Sequence, residues 1–387
     1  MTERQAITVA AKGETPMTFR SRSWTRVAAG ACLVLGAAVS AHAQDVPSYY
    51  PDDYQTIVDA SRNEGQLLIY SNMAQYNWAP VIEGFNKLYP WIEVSTLDLD
   101  SDEVFTRYYA ENNSGAKTAG LMVSATVDGW QTFMKGDNAL DYTSAEAEHV
   151  PDWSMPVANL YTVSTDPMVI VYNKLTVPEA QRPKGISDLA RIVEETGDAM
   201  RGKLTTYNAA QTSFGSAIDL VYLREHGEEG WATFETIGPL TRAESSSGPM
   251  LAKLGAGEYS VGYFISGIVF FPKLENATTA RLLGWNFIAD GTPLFMRQMA
   301  IPKGSSAPAS AKLMLDFILS QDGQTAFGIG GLTPYREGVK KEDVAFYTYD
   351  AIREEIGEEN ILLIDYDEGL VADDAFLDQW RSTFKPK

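Results

Sequence analysis

Neutral polar side chains recur where the predicted strands of this sequence end. A hydroxyl or amide of this kind can bind an oxyanion together with the backbone N–H groups of its turn. Because ligands of α/β sheets bind beyond the carboxyl ends of the strands, we expect such groups to meet in one site. The candidates are Ser71, Asn72, Ser124, Thr126, Ser245, Ser246 and Ser247.

A predicted helix and one arginine add positive charge to this set. Ser247-Gly248 precedes a helix predicted at residues 250–255, so its backbone N–H groups and the positive end of its dipole would face an anion. Arg297 lies just before an apolar run and can hold a carboxylate or phosphate through two parallel hydrogen bonds. Together these residues predict a site for a small anion.

Each candidate also has a purely structural interpretation. The serines at 245–247 are typical of a helix N-cap, and Arg297 could form a surface ion pair. Thr165 and Asp166, which we also assign to the site, could serve only as the turn before Pro167. Tyr263 at a predicted strand end could belong to the core.

Motifs for catalysis are missing from the sequence. His149 and His226 are the only histidines after residue 43, and both have acidic neighbours. The chain has no zinc-ligand spacing, no Gly-x-Ser-x-Gly turn and no phosphate loop ending in Gly-Lys-Ser/Thr. We therefore predict a protein that is not an enzyme and has no cofactor, with a secreted α/β enzyme as an alternative. A cluster of carboxylates predicts helix capping, with calcium binding as its alternative: Asp98, Asp100, Asp102 and Glu103.

Strands that alternate with helices predict an α/β fold with mostly parallel sheets. The run at residues 168–172 is apolar and mostly β-branched, which is typical of a strand buried on both faces. A second such run lies at 298–302, and each of the two would cross between two α/β lobes. We predict one lobe from residues 44–167 and 300–387, a second from 174–296, and hinge strands at about 167–173 and 297–302. The acidic tail from Lys340 is placed on the first lobe.

The first 43 residues read as a secretory signal peptide. Three arginines precede an apolar run at 27–39, and Ala41-His42-Ala43 gives a cleavage pattern before Gln44. Translation could start at Met1 or at Met17. The one cysteine, Cys32, lies in this segment, so the exported chain has no disulfide, which is consistent with the periplasm.

The remaining chain is strongly acidic. It has 26 basic and 49 acidic residues, which disfavours nucleic acid and anionic membrane surfaces as partners. Local hydrogen-bond donors still decide whether an anionic ligand binds. We expect a monomer with no segment inserted in a membrane.

The order of several motifs resembles that of periplasmic solute-binding proteins of the ferric-iron type, which serve ABC importers. The resemblance covers about residues 53–337. It implies a two-lobed fold that closes on its ligand by a hinge motion and then docks on an inner-membrane permease. The motifs are Glu64-Gly65 before the strand at 67–72, the crossing strand 167–174, Arg201-Gly202-Lys203-Leu204-Thr205, Ser246-Ser247-Gly248-Pro249, the run 257–263, Ala300-Ile301-Pro302-Lys303-Gly304, and the helix 311–320 with Gly323-Gln324.

The sequence departs from the iron-binding pattern that the resemblance implies. Members of that family hold Fe³⁺ with two adjacent tyrosines, and Tyr263-Phe264 stands in their place here with a single phenol. Neutral residues, Asn72 and Ser124, occupy the turns where a histidine or glutamate would help. A small organic anion, phosphorylated or carboxylated, is therefore the first ligand hypothesis. Ferric iron held through Tyr263 is the alternative.

Overall fold

The structure is a computed structural model that describes residues 46–385. The predicted signal peptide lies outside the described residues. No helix among residues 46–385 combines the length and the apolar character that a membrane span requires. The strands are β1 (Gln66–Ser71), β2 (Glu93–Asp98), β3 (Leu121–Ser124), β4 (Tyr161–Asn173), β5 (Leu204–Tyr207), β6 (Thr241–Glu244), β7 (Val261–Ser266), β8 (Leu283–Phe287), β9 (Thr292–Ala300) and β10 (Ile361–Ile364).

The helices lie between these strands and after them. They are α1 (Tyr54–Ser61), α2 (Gln75–Leu88), α3 (Ser101–Asn113), α4 (Val127–Lys135), α5 (Ile186–Thr196), α6 (Ser213–Ile237), α7 (Ser247–Ala256), α8 (Gly267–Phe270), α9 (Ala277–Leu282), α10 (Pro308–Leu319), α11 (Gln321–Ile329), α12 (Tyr349–Ile356) and α13 (Asp374–Thr383). In α6 the helical geometry breaks at Gly227, which has φ 54°. The spacing of apolar residues predicts two helices here, at residues 214–226 and 230–237, and the break lies between them.

The first three strands form the parallel arrangement that the sequence predicts. β1 lies between β2 and β3, and all three run in the same direction. Ser71 at the end of β1 is paired with Asp98 at the end of β2. Asp100 and Glu103 then form a capping box that starts α3. The carboxyl ends of β1 and β2 therefore lie beside the first turn of α3.

Two long antiparallel strands connect the parts of the sheet. All thirteen residues of β4 are buried. Its first half, from Tyr161 to Pro167, pairs with β9, while Met168 onward pairs with β7 and β8. The two halves of β4 therefore belong to different parts of the sheet, as predicted for a crossing strand.

The bounds predicted for the second crossing strand are wrong. We expected it at residues 298–302, but β9 covers Thr292–Ala300. Because Pro293 and Arg297 interrupt the apolar pattern, the sequence does not indicate the first half of the strand. In the structure all nine residues are buried, because β3 and β4 flank the strand and β10 pairs with its start.

The second part of the sheet repeats the parallel arrangement. β5 pairs in parallel with β6 and with β7. β7 has one extra residue between Gly262 and Ile265 relative to its partner β4, which is a β-bulge. Phe264 in this bulge has φ 57°, an unusual conformation for a residue other than glycine.

The C-terminal tail does not lie where the sequence analysis places it. We expected it on the surface of the first lobe, but its last helix, α13, packs on α6, which lies in the range predicted for the second. Trp380 donates a 2.7 Å hydrogen bond from its indole nitrogen to the buried carboxylate of Asp219. Phe376 and Phe384 contact aromatic rings of α6. This placement depends on aromatic partners more than 140 residues away, which the local sequence pattern does not reveal.

Candidate functional site

A cavity of about 690 Å³ opens beyond the carboxyl ends of the strands. Its wall combines the ends of β1 and β2 and the start of α3 with the ends of β5 to β7 and the start of α7. This size is within the range of small-molecule sites in proteins. The lining residues are Asn72, Asp98, Leu99, Asp100, Ser101, Asp102, Glu103, Thr106, Asp166, Tyr207, Gln211, Thr212, Phe214, Ser245, Ser246, Ser247, Gly248, Ser266, Val269 and Arg297.

Arg297 is the basic residue of this lining. β9 carries it, and only 3% of its surface is exposed. One guanidinium nitrogen donates to Asn72 and another lies 3.5 Å from the Asp166 carboxylate, but the Nε–H has no partner. Burial lowers the pKa of this guanidinium and Asp166 opposes the shift, yet arginine stays charged in proteins. The site therefore contains a buried positive charge with an unused donor.

Asp166 is the buried counter-ion of this arginine. Its carboxylate accepts a 2.7 Å bond from the Ser266 hydroxyl and a 3.2 Å bond from the Ile268 N–H. Burial raises the pKa of Asp166, and the neighbouring Arg297 and these hydrogen bonds oppose the shift. Because Asp166 belongs to β4 and Ser266 to β7, the carboxylate links the two parts of the sheet.

Ser247 lies at the first position of α7 and contacts the buried phenol of Tyr207 at 2.6 Å. Its hydroxyl oxygen also accepts a 3.1 Å bond from the Ser266 N–H. The N-cap interpretation does not hold for Ser246, whose side chain makes no capping hydrogen bond. The N-terminus of this ten-residue helix therefore lies at the cavity wall, which Ser246, Ser247 and Gly248 line.

These contacts join into one chain of hydrogen bonds, which we call the cavity network. It continues from Asn72 to Ser101, whose side chains are 2.7 Å apart. The network thus connects the end of β1 with the start of α7 through the two crossing strands. Its members are Tyr207, Ser247, Ser266, Asp166, Arg297, Asn72 and Ser101.

One side of the cavity is acidic, and we call Asp98, Asp100, Asp102 and Glu103 the acidic wall. Asp100 and Glu103 cap α3, as the sequence predicts for carboxylates at a helix start. Asp102 accepts a 2.5 Å hydrogen bond from Ser213 at the start of α6. Burial, together with Asp100, raises the pKa of Asp98. The acidic wall therefore belongs to β2 and α3, whereas Arg297 belongs to β9.

Seven of the candidate residues line this cavity: Asn72, Asp166, Ser245, Ser246, Ser247, Gly248 and Arg297. Three other candidates are engaged nearby without lining it. The Ser71 hydroxyl accepts from the Trp78 indole at 3.0 Å, and the Ser124 hydroxyl donates to the Ser101 carbonyl at 2.9 Å. Thr126 contacts Ser124. These hydroxyls hold the turns around the site in place.

Thr165 and Tyr263 have interior partners. The Thr165 hydroxyl donates to the Thr333 carbonyl at 3.2 Å. Tyr263 is fully buried, and its phenol shares a 3.1 Å hydrogen bond with Thr241. Burial raises the pKa of the Tyr263 phenol well above its ordinary value. Neither residue lines the cavity. The core interpretation describes Tyr263, but the turn expected at Thr165 and Asp166 is wrong, because both residues lie within the buried strand β4.

Sequence reasoning missed three members of the cavity network, Tyr207, Ser266 and Ser101, the last of which starts α3. Tyr207 is the last residue of β5. The rule that ligands bind at strand ends covers this residue, but we did not name it as a candidate. Ser266 lies beyond the strand end expected at residue 264, and no local signal marks it. Its position depends on the bulge in β7, which the sequence pattern does not predict.

The described residues do not form an evident ferric site. Within residues 46–385 no three His, Cys, Asp or Glu side chains are grouped so that they could hold a metal ion. The phenol that lines the cavity is that of Tyr207, and burial raises its pKa. With one phenol on the cavity lining and no carboxylates grouped as metal ligands among residues 46–385, the site fits Fe³⁺ poorly.

Solved structures share the architecture of this chain, although no family model and no curated protein matches its sequence. The substrate-binding protein of an ABC transporter from Agrobacterium tumefaciens aligns with a TM-score of 0.74 at 21% identity, covering 83% of this chain and 94% of that one. The periplasmic binding protein AfuA from Actinobacillus pleuropneumoniae, with fructose-6-phosphate bound, gives 0.67 at 17% identity over 83% and 99%.

An iron-binding protein is similar as well. The apo ferric ion-binding protein A of Pasteurella haemolytica gives a TM-score of 0.61 at 16% identity, covering 83% of this chain and 96% of that one. These similarities confirm the predicted fold, that of the two-lobed periplasmic binding proteins of the ferric-iron type. Because the neighbours include both an iron-binding and a sugar-phosphate-binding protein, the fold does not identify a ligand.

Proposed function

We propose that this protein is the periplasmic solute-binding component of an ABC importer. It captures a small anionic solute in the cavity and delivers it to the inner-membrane permease without changing it chemically. The solute carries a phosphate, phosphonate or carboxylate group. The fold of the neighbouring structures and the position of the cavity beyond the strand ends support this proposal.

The observation that carries the proposal is the unused donor on Arg297. A buried guanidinium with an unpaired donor is costly, and an anionic group in the cavity that Arg297 lines would compensate its charge. The start of α7 and the hydroxyls of Ser246 and Ser247 lie on the same cavity. They would add neutral donors and the positive end of a helix dipole around the anion.

Closure around the solute is part of the proposal. One lobe would contain residues 44–167 and 300–339, the other 174–296 with α13 packed on it, and β4 and β9 would form the hinge. Asp102 and Ser213, 111 residues apart, already form a hydrogen bond between these ranges. A solute that contacts both lobes would favour the closed form by the difference in its affinity for the two states.

Ferric iron is the alternative ligand, and a secreted enzyme is a further one. Iron finds support in the iron-binding neighbours but not in Tyr263, which is buried away from the cavity. Iron bound by a phenolate would colour the protein, and an enzyme would turn over its substrate. A colourless protein that returns its ligand unchanged would exclude both alternatives.

Mass spectrometry of compounds that co-purify with the protein, beside a thermal-shift screen of organic anions, tests the proposal. We expect an anion to raise the melting temperature, and Arg297→Met to abolish this rise. Arg353→Met, the same change at an exposed ion pair on α12, is the matched control and should leave the rise intact. An equal ligand response in both variants would contradict the proposed role of Arg297.

A further inference from the structure

The acidic wall is unexplained if the solute is only an anion. Four carboxylates of this wall and Asp166 line the same cavity as the single arginine. A purely anionic solute would meet like charges along one side, which weakens its binding at short range. The solute must therefore have chemistry that these carboxylates favour.

We propose that the solute carries a protonated amine as well as its anionic group, and that the amine lies against the acidic wall. This inference rests on the proposed function, since the anionic group is the one that Arg297 binds. The ligand class is then a zwitterionic small molecule, such as an amino sugar phosphate or an amino-substituted phosphonate or carboxylate.

The acidic wall has no cationic partner of its own. Among residues 46–385, no lysine, arginine or histidine forms an ion pair with Asp98, Asp100, Asp102 or Glu103. Asp98 lines the cavity, and its partial burial, with a further contribution from repulsion by Asp100, raises its pKa. A cation from the solute would replace this repulsion with attraction.

The second observation concerns Arg297 on β9, which lines the same cavity. Its side chain is almost fully buried, and its Nε–H has no partner. The buried guanidinium favours an anion, while the carboxylates on β2 and α3 favour a cation. A solute with both charges would compensate both groups at once.

An ammonium group fits the acidic wall better than a metal ion does. Asp100 and Glu103 already bond to the backbone at the start of α3, and Asp102 accepts from Ser213. The four carboxylates are not grouped as a metal site. An ammonium needs only one or two acceptors and can bond to Asp98 while the other carboxylates supply charge.

The volume of the cavity also suits a solute with two charged groups. At about 690 Å³ it exceeds what a lone phosphate ion needs and is large enough for a sugar-sized solute that carries both groups.

Calorimetric titration with matched pairs of compounds tests the inference on the full exported chain. The pairs are glucosamine 6-phosphate with glucose 6-phosphate, 3-aminopropylphosphonate with propylphosphonate, and 4-aminobutyrate with butyrate. In at least one pair we expect the amine to bind about tenfold or more tightly than its partner. Asp98→Asn should reduce that ratio several-fold and leave the amine-free compound bound equally or better.

Glu83→Gln, at an exposed ion pair on α2, is the control and should preserve the wild-type ratio. Equal binding within every pair that binds would overturn the inference and leave the proposed function standing. Binding that also survives Arg297→Met would contradict the proposed function itself. If no member of any pair binds, both fail.

Discussion

Two buried polar networks of this protein differ in how completely they are satisfied. The cavity network leaves the Nε–H of Arg297 without a partner. The second, which we call the closed network, surrounds Asp316 and Glu146, and none of its buried side-chain atoms lacks a partner among the described residues. Its other members are Tyr49, Tyr50, Tyr54, Tyr142, Ser144 and Arg336.

The closed network has the same chemical ingredients as the cavity network. Asp316 accepts bonds from Tyr54, Tyr142 and Ser144 at 2.8, 2.5 and 2.6 Å. Glu146 pairs with the buried Arg336 at 2.8 Å. Both networks thus contain a buried arginine and carboxylates. What distinguishes the cavity network is that its arginine lines the cavity and keeps an unpaired donor, whereas the arginine of the closed network does neither.

The largest effect is expected when the closed network is broken. Asp316→Ala leaves three buried hydroxyls without their acceptor, which should lower the free energy of unfolding by about 4 kcal/mol. Urea denaturation measures this loss. Solute affinity per folded molecule should stay unchanged, since Asp316 is not among the cavity-lining residues. A loss of affinity in the folded variant would mean that the two networks are coupled.

Replacing the arginine of each network by methionine tests whether one network serves binding and the other stability. Arg297→Met should weaken solute binding about 100-fold, or about 3 kcal/mol, because the buried charged donor is lost. Its effect on stability should be smaller, since Asp166, whose pKa burial already raises, can take up a proton. Arg336→Met should do the reverse, destabilising the fold and sparing affinity. Calorimetry and urea denaturation of both variants would show whether this contrast holds.

The free energy of unfolding measured over a pH series tests the protonation of Asp316 in the closed network. Burial raises the pKa of Asp316 to about 6 from a model-compound value of 3.8, although hydrogen bonds from Ser144, Tyr142 and Tyr54 oppose the shift. The folded state therefore holds this proton more tightly than the unfolded state does. Its stabilising contribution is complete below about pH 4 and is lost as the pH rises to about 6.

The reference for this series is Asp316→Asn, which does not titrate. The free energy of unfolding of the wild type relative to this variant should fall by about 3 kcal/mol in total across that interval. Urea denaturation at several pH values gives the difference. A difference that rises with pH would show that the hydrogen bonds outweigh burial.

Ser247→Ala tests a neutral member of the cavity network. The change removes the partner of the Tyr207 phenol and an acceptor for Ser266. We expect solute affinity to fall about fivefold, or about 1 kcal/mol, because a neutral hydrogen bond contributes less than a charged one. Ser310→Ala, a buried serine bonded to Glu64 in the N-terminal part, is the control and should leave affinity unchanged.

The smallest effect concerns the contact between Asp102 and Ser213. Because it lies at an exposed position, Ser213→Ala should shift the balance between open and closed forms by only about 0.5 kcal/mol. Small-angle scattering without solute would then show a modestly larger mean radius of gyration. A much larger change would make this contact, and not the solute, the main determinant of closure.

Much of the fold could be predicted from the chain because its signals are local. The apolar run in β4, the capping box at α3 and the alternation of strands with helices all lie within short segments. The rule that ligands bind at strand ends predicted Asn72 and Ser247 for one site, and both line the same cavity. β9 was less visible because proline and arginine occur in a strand whose burial comes from its neighbours.

Other assignments depended on contacts that no local pattern encodes. Ser71 and Ser124 were expected to face a ligand, but an indole and a backbone carbonyl use their hydroxyls. Ser266 reaches Asp166 across 100 residues of sequence. The tail was assigned to the wrong part of the molecule because Asp219, the partner of Trp380, lies 161 residues before it.

The sequence by itself determined the order of the elements and which polar groups occur at strand ends, because hydrophobic periodicity and turn chemistry act between neighbours along the chain. Tertiary structure alone decided which of those groups remain available to a solute. A side chain keeps its hydrogen-bonding capacity only if folding brings no internal partner to it, and at this site the decisive partners are distant in sequence.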